Sequence, residues 1–292
     1  MATTGHIPLG LSTFVLASPF SDADLALFGK VKSFGYEQVE VCIEDPSRLT
    51  APAVAKAAAD AGLSVLVCGA FGPDRDVSNP DEERRRGGIG YLRHCVEFAA
   101  AVGSTLVSGP MYAPTGQARL LDPAARAAQW TWATDSLAHV APYARAANVR
   151  LAIEPLNRFE TDLVNTVEQG IRLCADVGAD NVGLLLDTFH MNIEEKSLPA
   201  AITTAGSRVF HFQASENDRG TPGSGHIAWE EVVAALRGID YAGSVVVESF
   251  LPTVQEIARA VSLWRPVADS MDALAADSVR FLRPLLQSGG QP

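Results

Sequence analysis

Val182-Gly-Leu-Leu-Leu-Asp187, then Leu198 to Ala205 rich in Ala and Leu, then Arg208-Val-Phe-His-Phe-Gln213: this stretch reads as strand, helix, strand. Both outer runs are apolar and of strand length, and the segment between them has helical composition. Each outer run also stops on an oxygen-bearing side chain. Alternation of this kind marks a βα unit laid on a parallel sheet.

The unit repeats in both directions. Working outward, strands are predicted at Ile7–Ser12, Gln38–Ile43, Ser64–Ala70, Thr105–Ser108, Arg150–Glu154, Val182–Asp187, Arg208–Gln213 and Ser244–Glu248. Helices are predicted at Asp22–Phe34, Ala51–Ala61, Asp81–Val102, Pro123–Ala147, Thr166–Val177, Leu198–Ala205, Trp229–Leu236 and Glu256–Leu286. Eight units in 292 residues fit an α/β fold of the (β/α)8 TIM-barrel type. An open doubly wound sheet would announce itself by a Gly-rich turn after the first strand, and Leu11 to Phe20 holds none. The glycines of Gly220-Thr-Pro-Gly-Ser-Gly225 follow the seventh strand instead and read as a turn-rich mouth loop. With no linker-like stretch in the middle, residues 1–287 are expected to form one domain, and 288–292 a disordered tail.

Composition narrows the function classes. Hydrophobic residues make up 47% and charged residues 20%, the range of an ordinary globular chain. The net charge of -11 opposes attraction to a phosphate backbone, so no nucleic-acid partner is expected. No apolar run approaches the length of a membrane span, and none reads as a leader, so no membrane partner and a cytoplasmic address are expected. The four cysteines, Cys42, Cys68, Cys95 and Cys174, are scattered and form neither a disulfide framework nor a thiolate zinc motif.

In a barrel, chemistry sits where strands end and βα loops begin. Glu154, Asp187, Gln213 and Glu248 terminate the fifth to eighth strands. Three carboxylates at one rim would repel one another unless a cation neutralised them. An all-oxygen set suits Mg2+ or Mn2+ better than Zn2+. Asn157, Arg158, Glu160, His190, Glu216, Asn217 and Arg219 follow these strand ends and form a polar rim suited to hydroxyl groups.

These residues resemble the D-tagatose 3-epimerase group, with the D-allulose and L-ribulose 3-epimerases, among the xylose-isomerase-like TIM barrels. The resemblance spans nearly the whole chain. Glu154-Pro-Leu-Asn-Arg-Phe-Glu160, Asp187-Thr-Phe-His-Met-Asn-Ile-Glu-Glu195, Ser215-Glu-Asn-Asp-Arg-Gly220 and Val247-Glu-Ser-Phe250 carry it. It implies one divalent cation, Mn2+ or Mg2+ with Co2+ as a further option, held by Glu154, Asp187 and Glu248. It also implies that Glu160, His190 and Arg219 contact the sugar's oxygens and that Cys68 lies near the sugar. The family's usual metal histidine lies six residues before this arginine, a position occupied here by Gln213. Gln213 is expected to supply its amide oxygen. His211 faces the same way but roughly 6 to 7 Å deeper, and is the competing ligand.

The implied reaction is epimerisation of a ketose at C3 through an enediolate, with Glu154 and Glu248 as opposed acid-base groups. An aldose-ketose isomerase and a lyase acting on oxidised sugars or glycosides would use much the same site. An endonuclease of this barrel class and a non-catalytic sugar-binding protein fit less well. The expected partner is a small sugar, and the chain is expected to form a homo-oligomer, a dimer or tetramer.

Overall fold

The computed structural model describes residues 6–254, 258–259 and 261–287. β1 (Leu9–Ser12), β2 (Gln38–Ile43), β3 (Ser64–Gly69), β4 (Leu106–Gly109), β5 (Arg150–Ile153), β6 (Val182–Asp187), β7 (Val209–Ala214) and β8 (Val245–Val247) close into a parallel barrel in chain order. Closure is made by β1 on β8, where Gly10 pairs with Val246. The barrel expected from the sequence is therefore the one present.

α1 (Leu27–Phe34), α2 (Ala51–Ala61), α3 (Glu82–Ala101), α4 (Pro123–Ala146), α5 (Val167–Val177), α6 (Thr188–Glu194), α7 (Leu198–Ala205), α8 (Trp229–Gly238) and α9 (Met271–Gln287) follow. The larger ones bury an apolar stripe against the outward side chains of the strands, as Val54 and Ala58 of α2 or Leu173 and Val177 of α5 do. No helix of the described residues is long and apolar enough to cross a membrane.

Three helical boundaries differ from expectation. The first predicted helix splits into a tight turn at Asp22–Asp24 and α1, because Ser21 and Asp24 cap one another and close a short 3-10 turn. The last is interrupted: residues 258–259 are helical, and regular helix resumes at Met271. Residues 261–270 run as turns and bends, with Ser262 in the left-handed region (φ 54°) and Pro266 disfavouring helical backbone at Arg265. Residues 256, 257 and 260 of that predicted helix, like the expected tail 288–292, lie outside the described residues. An additional helix, α6, starts directly from β6 because the Asp187 carboxylate accepts from the Phe189 N–H at 2.7 Å and caps it.

Strand residues two apart face the same side, so the interior is built in layers. Leu106, Ala152 and Leu185 form an apolar plug, with Leu66 and Phe210 packed against it. One step nearer the mouth along the same faces, Ala152 is followed by Glu154, Leu185 by Asp187, and His211 by Gln213. Phe14, Cys42, Cys68, Phe250, Val261 and Leu263 form a second apolar cluster beside them.

Candidate metal and sugar site

Four adjoining strand ends place Glu154, Asp187, Gln213 and Glu248 together, and all four are buried. The Thr188 hydroxyl accepts from the Ser215 N–H at 2.9 Å and donates to the Ser215 carbonyl at 2.6 Å, locking the ends of β6 and β7 together. Burial pushes the Glu154 carboxyl above the ordinary carboxylate range; His190 pulls it back and the Asp187 charge adds to the rise. Burial raises Glu248 strongly, against the pull of Arg219 and with the added repulsion of Asp187, Glu154 and Glu40.

Arg219 supplies the local positive charge. One Nη1 donates to Asp187 Oδ2 at 2.6 Å and to Glu248 Oε2 at 3.1 Å, and the guanidinium lies over the rings of Phe189 (4.1 Å) and Phe250 (4.9 Å). The side chain reaches back into the barrel because its own residue turns sharply. Arg219 has φ 68°, held by its N–H on the Glu216 carbonyl and by the Ser249 hydroxyl donating to its carbonyl at 2.6 Å. Arg219 Nε is buried with no acceptor among the described residues, a donor left for a ligand. Thus Arg219 stands directly on two of the expected cation ligands as well as facing the sugar cavity.

His190 is held by Asn157. The Asn157 N–H reaches His190 Nδ1 at 3.1 Å, and His190 Nε2 lies 3.4 Å from Glu154 Oε1. Arg219 Nη2 lies 3.0 Å from the same Nε2. Ligand atoms of Glu154, Asp187 and His190 lie within 4.8 Å of one another. Asn157 also donates from Nδ2 to Glu160 Oε1 at 2.8 Å, so one amide sets two of the expected sugar contacts.

Gln213 donates its Nε2 to Glu40 Oε2 at 2.8 Å and to Glu248 Oε1 at 3.1 Å, while its Oε1 is buried without a partner among the described residues. An unspent amide oxygen beside buried carboxylates is what a hard divalent cation needs from this donor set. His211, the competing ligand, has its Nε2 2.6 Å from Glu40 Oε1, turned to a carboxylate inside the barrel. Glu40 on β2 was absent from the expected site residues.

Above this cluster opens a cavity of about 640 Å³, a size usual for small-molecule sites. Cys68, Glu154, Glu160, His190, Arg219 and Glu248 line it, with Phe14, Phe71, Leu156 and Phe250 as apolar wall. Cys68 thus reaches the cavity, and its contact with Cys42 together with burial pushes its thiol well above the ordinary range. The cavity's other arginines are engaged. Arg48 pairs with Asp45 at 3.2 Å, and Arg75 donates to the carbonyls of Ile43, Ala70 and Glu44.

A model of the xylose isomerase-like TIM-barrel family matches residues 28–285. The chain belongs to that family. A probable ketose 3-epimerase of Synechocystis sp. is 33% identical over 288 residues, covering 99% of this chain and all of the relative. The L-ribulose 3-epimerase of Mesorhizobium japonicum is 33% identical over 278 residues, covering 94% and 92% of the two chains. The crystal structure of D-allulose 3-epimerase from Methylomonas sp. in complex with D-allulose superposes with a TM-score of 0.88 at 26% identity, covering 96% of this chain and 97% of that one. The resemblance read from the strand-end motifs is therefore the family relationship found over the full chain.

Arg158, Glu216 and Asn217 of the expected rim do not line the cavity; Asn217 Oδ1 accepts from the His226 N–H at 3.2 Å. Arg158 pairs with Glu194 at 2.9 Å on the outside. Glu216 is buried and accepts from the N–H groups of Gly223 (2.8 Å) and Ile227 (3.1 Å) and from the Trp229 indole (2.9 Å). It thereby folds the 216–229 loop, whose closeness leaves room only for glycine at 225: a Cβ there would lie 2.0 Å from Asn217 Oδ1. Glu216→Ala is expected to cost about 2–4 kcal/mol through its stranded buried donors. Denaturant unfolding measures this, and a loss under about 0.5 kcal/mol, the usual range of surface changes, contradicts it.

Proposed function

We propose that the chain epimerises a free ketose at C3, with Glu154 and Glu248 as the acid-base pair and one divalent cation, Mn2+ or Mg2+ with Co2+ also accommodated, on Glu154, Asp187, Gln213 and Glu248. The carrying observation is the convergence of these four oxygen donors at successive strand ends, with Gln213 Oε1 unspent. When bound, the cation polarises the sugar's C2 carbonyl and C3 hydroxyl oxygens and so acidifies the C3 proton.

The protein's own groups do the rest. β5 and β8 stand three strands apart in the ring, so Glu154 and Glu248 approach a bound sugar from different sides. One carboxylate removes the C3 proton, the C–H electrons forming the C2–C3 double bond of the enediolate, and the other carboxyl returns a proton to the opposite face. Which one begins follows from the configuration of the substrate. Arg219 and His190 offer donors to the enediolate oxygens, and Glu160, oriented by Asn157, accepts from a hydroxyl. Cys68 and the aromatic walls keep water off the reacting carbon.

A free rather than phosphorylated sugar follows from the charges. Arg48 and Arg75 are engaged by a carboxylate and by carbonyls, Arg219 is shared with Asp187 and Glu248, and Glu44, Asp45 and Asp74 share the rim. Incubation with a panel of free ketoses and ketose phosphates, with product configuration determined, tests the reading. C3 epimers of free ketoses are expected; turnover confined to phosphates, or aldose products, would overturn it.

A further inference from the structure

Glu40 lies in the middle of β2, fully buried, beneath the strand-end carboxylates. Its Oε1 accepts from His211 Nε2 at 2.6 Å and from the Ser108 hydroxyl at 3.1 Å, and its Oε2 accepts from Gln213 Nε2 at 2.8 Å. A buried carboxylate is costly unless donors satisfy it, and here three donors from β4 and β7 converge on it. No proton or hydroxyl of the proposed reaction needs it.

The consequence falls on Gln213. A carboxamide has one accepting and one donating end, and only the accepting end can hold a cation. Both Nε2 hydrogens of Gln213 are directed at carboxylates, one at Glu40 and one at Glu248. Reversing the amide would set Oε1 against those two carboxylate oxygens, so Glu40 makes the reversed orientation repulsive. An imidazole in this place would carry no such ambiguity of oxygen and nitrogen.

We propose that Glu40 is a positioning residue. Clamped by His211 and Ser108, it holds the Gln213 amide with Oε1 toward the cation and so sets the affinity for that cation. The proposal rests on the reading of Gln213 as a ligand given above.

Calorimetric titration of metal-free protein with Mn2+, beside thermal unfolding without metal, tests it. Glu40→Gln should weaken Mn2+ binding roughly 10–100-fold, the usual scale for groups that orient a ligand, with little change in the metal-free unfolding midpoint. The double variant Glu40→Gln/Gln213→Glu should recover affinity to within several-fold of the starting protein. There the amide at 40 donates to the carboxylate at 213, whose two oxygens are alike, so either can face the cation. Unchanged affinity in Glu40→Gln, or no recovery in the double variant, overturns the proposal. Should neither variant fold, Ser108→Ala decides: several-fold weaker Mn2+ binding supports the clamp, and unaltered binding overturns it. Absence of Mn2+ binding by the unaltered protein would instead overturn the metal assignment itself.

Discussion

Replacing either Glu154 or Glu248 by glutamine is expected to lower kcat by roughly 10²–10⁴-fold, the range supplied by a positioned acid-base group. The amide keeps the shape and an oxygen for the cation but cannot exchange a proton. Inversion at C3 requires both faces to be served, so neither substitution is tolerated in one direction and harmless in the other. Both residues are buried with raised affinity for a proton, and each faces the cavity. Steady-state kinetics on protein with verified metal content checks this. Turnover within about tenfold of the unaltered enzyme, with metal bound, would remove that residue from the proton-transfer role.

Stripping the divalent cation is expected to abolish turnover, and Mn2+ or Mg2+ to restore it. Glu154, Asp187 and Glu248 are buried together with Arg219 as the cation bonded to two of them. That single charge does not balance three carboxylates in a low-dielectric interior. Without the ion, moreover, nothing polarises the C2 carbonyl enough for a carboxylate to take the C3 proton. Full activity after exhaustive chelation, with metal absent by elemental analysis, would contradict this.

The strand-end residues were legible because a parallel strand of Val, Leu and Ile that stops on a carboxylate departs from its own apolar pattern. Val182–Asp187 matches to the residue for that reason, and Gln38–Ile43 by its β-branched apolar run. Glu40 was hidden by that very regularity. In Gln38-Val-Glu-Val-Cys-Ile43 a polar residue flanked by valines looks like the solvent side of a strand, and only barrel closure turns that side inward. The sequence places Asn157 in a polar rim, but its grip on His190 and Glu160 depends on α6, a helix capped by Asp187, a residue the strand pattern marks only as a strand end. The signal was present, since Asp followed by a polar and aromatic run is a helix start. In the last predicted helix the Ala and Leu content runs on across Pro266, where the backbone instead breaks into turns.

Incubating a ketose substrate with the enzyme in deuterium oxide and locating the label by NMR tests the two-carboxylate account most directly. It predicts deuterium at C3 of the product epimer, carbon-bound hydrogen elsewhere unlabelled, and no aldose. Deuterium at C1 or C2, or epimerisation without solvent-derived label at C3 even in single-turnover product, would contradict proton transfer by two opposed glutamates.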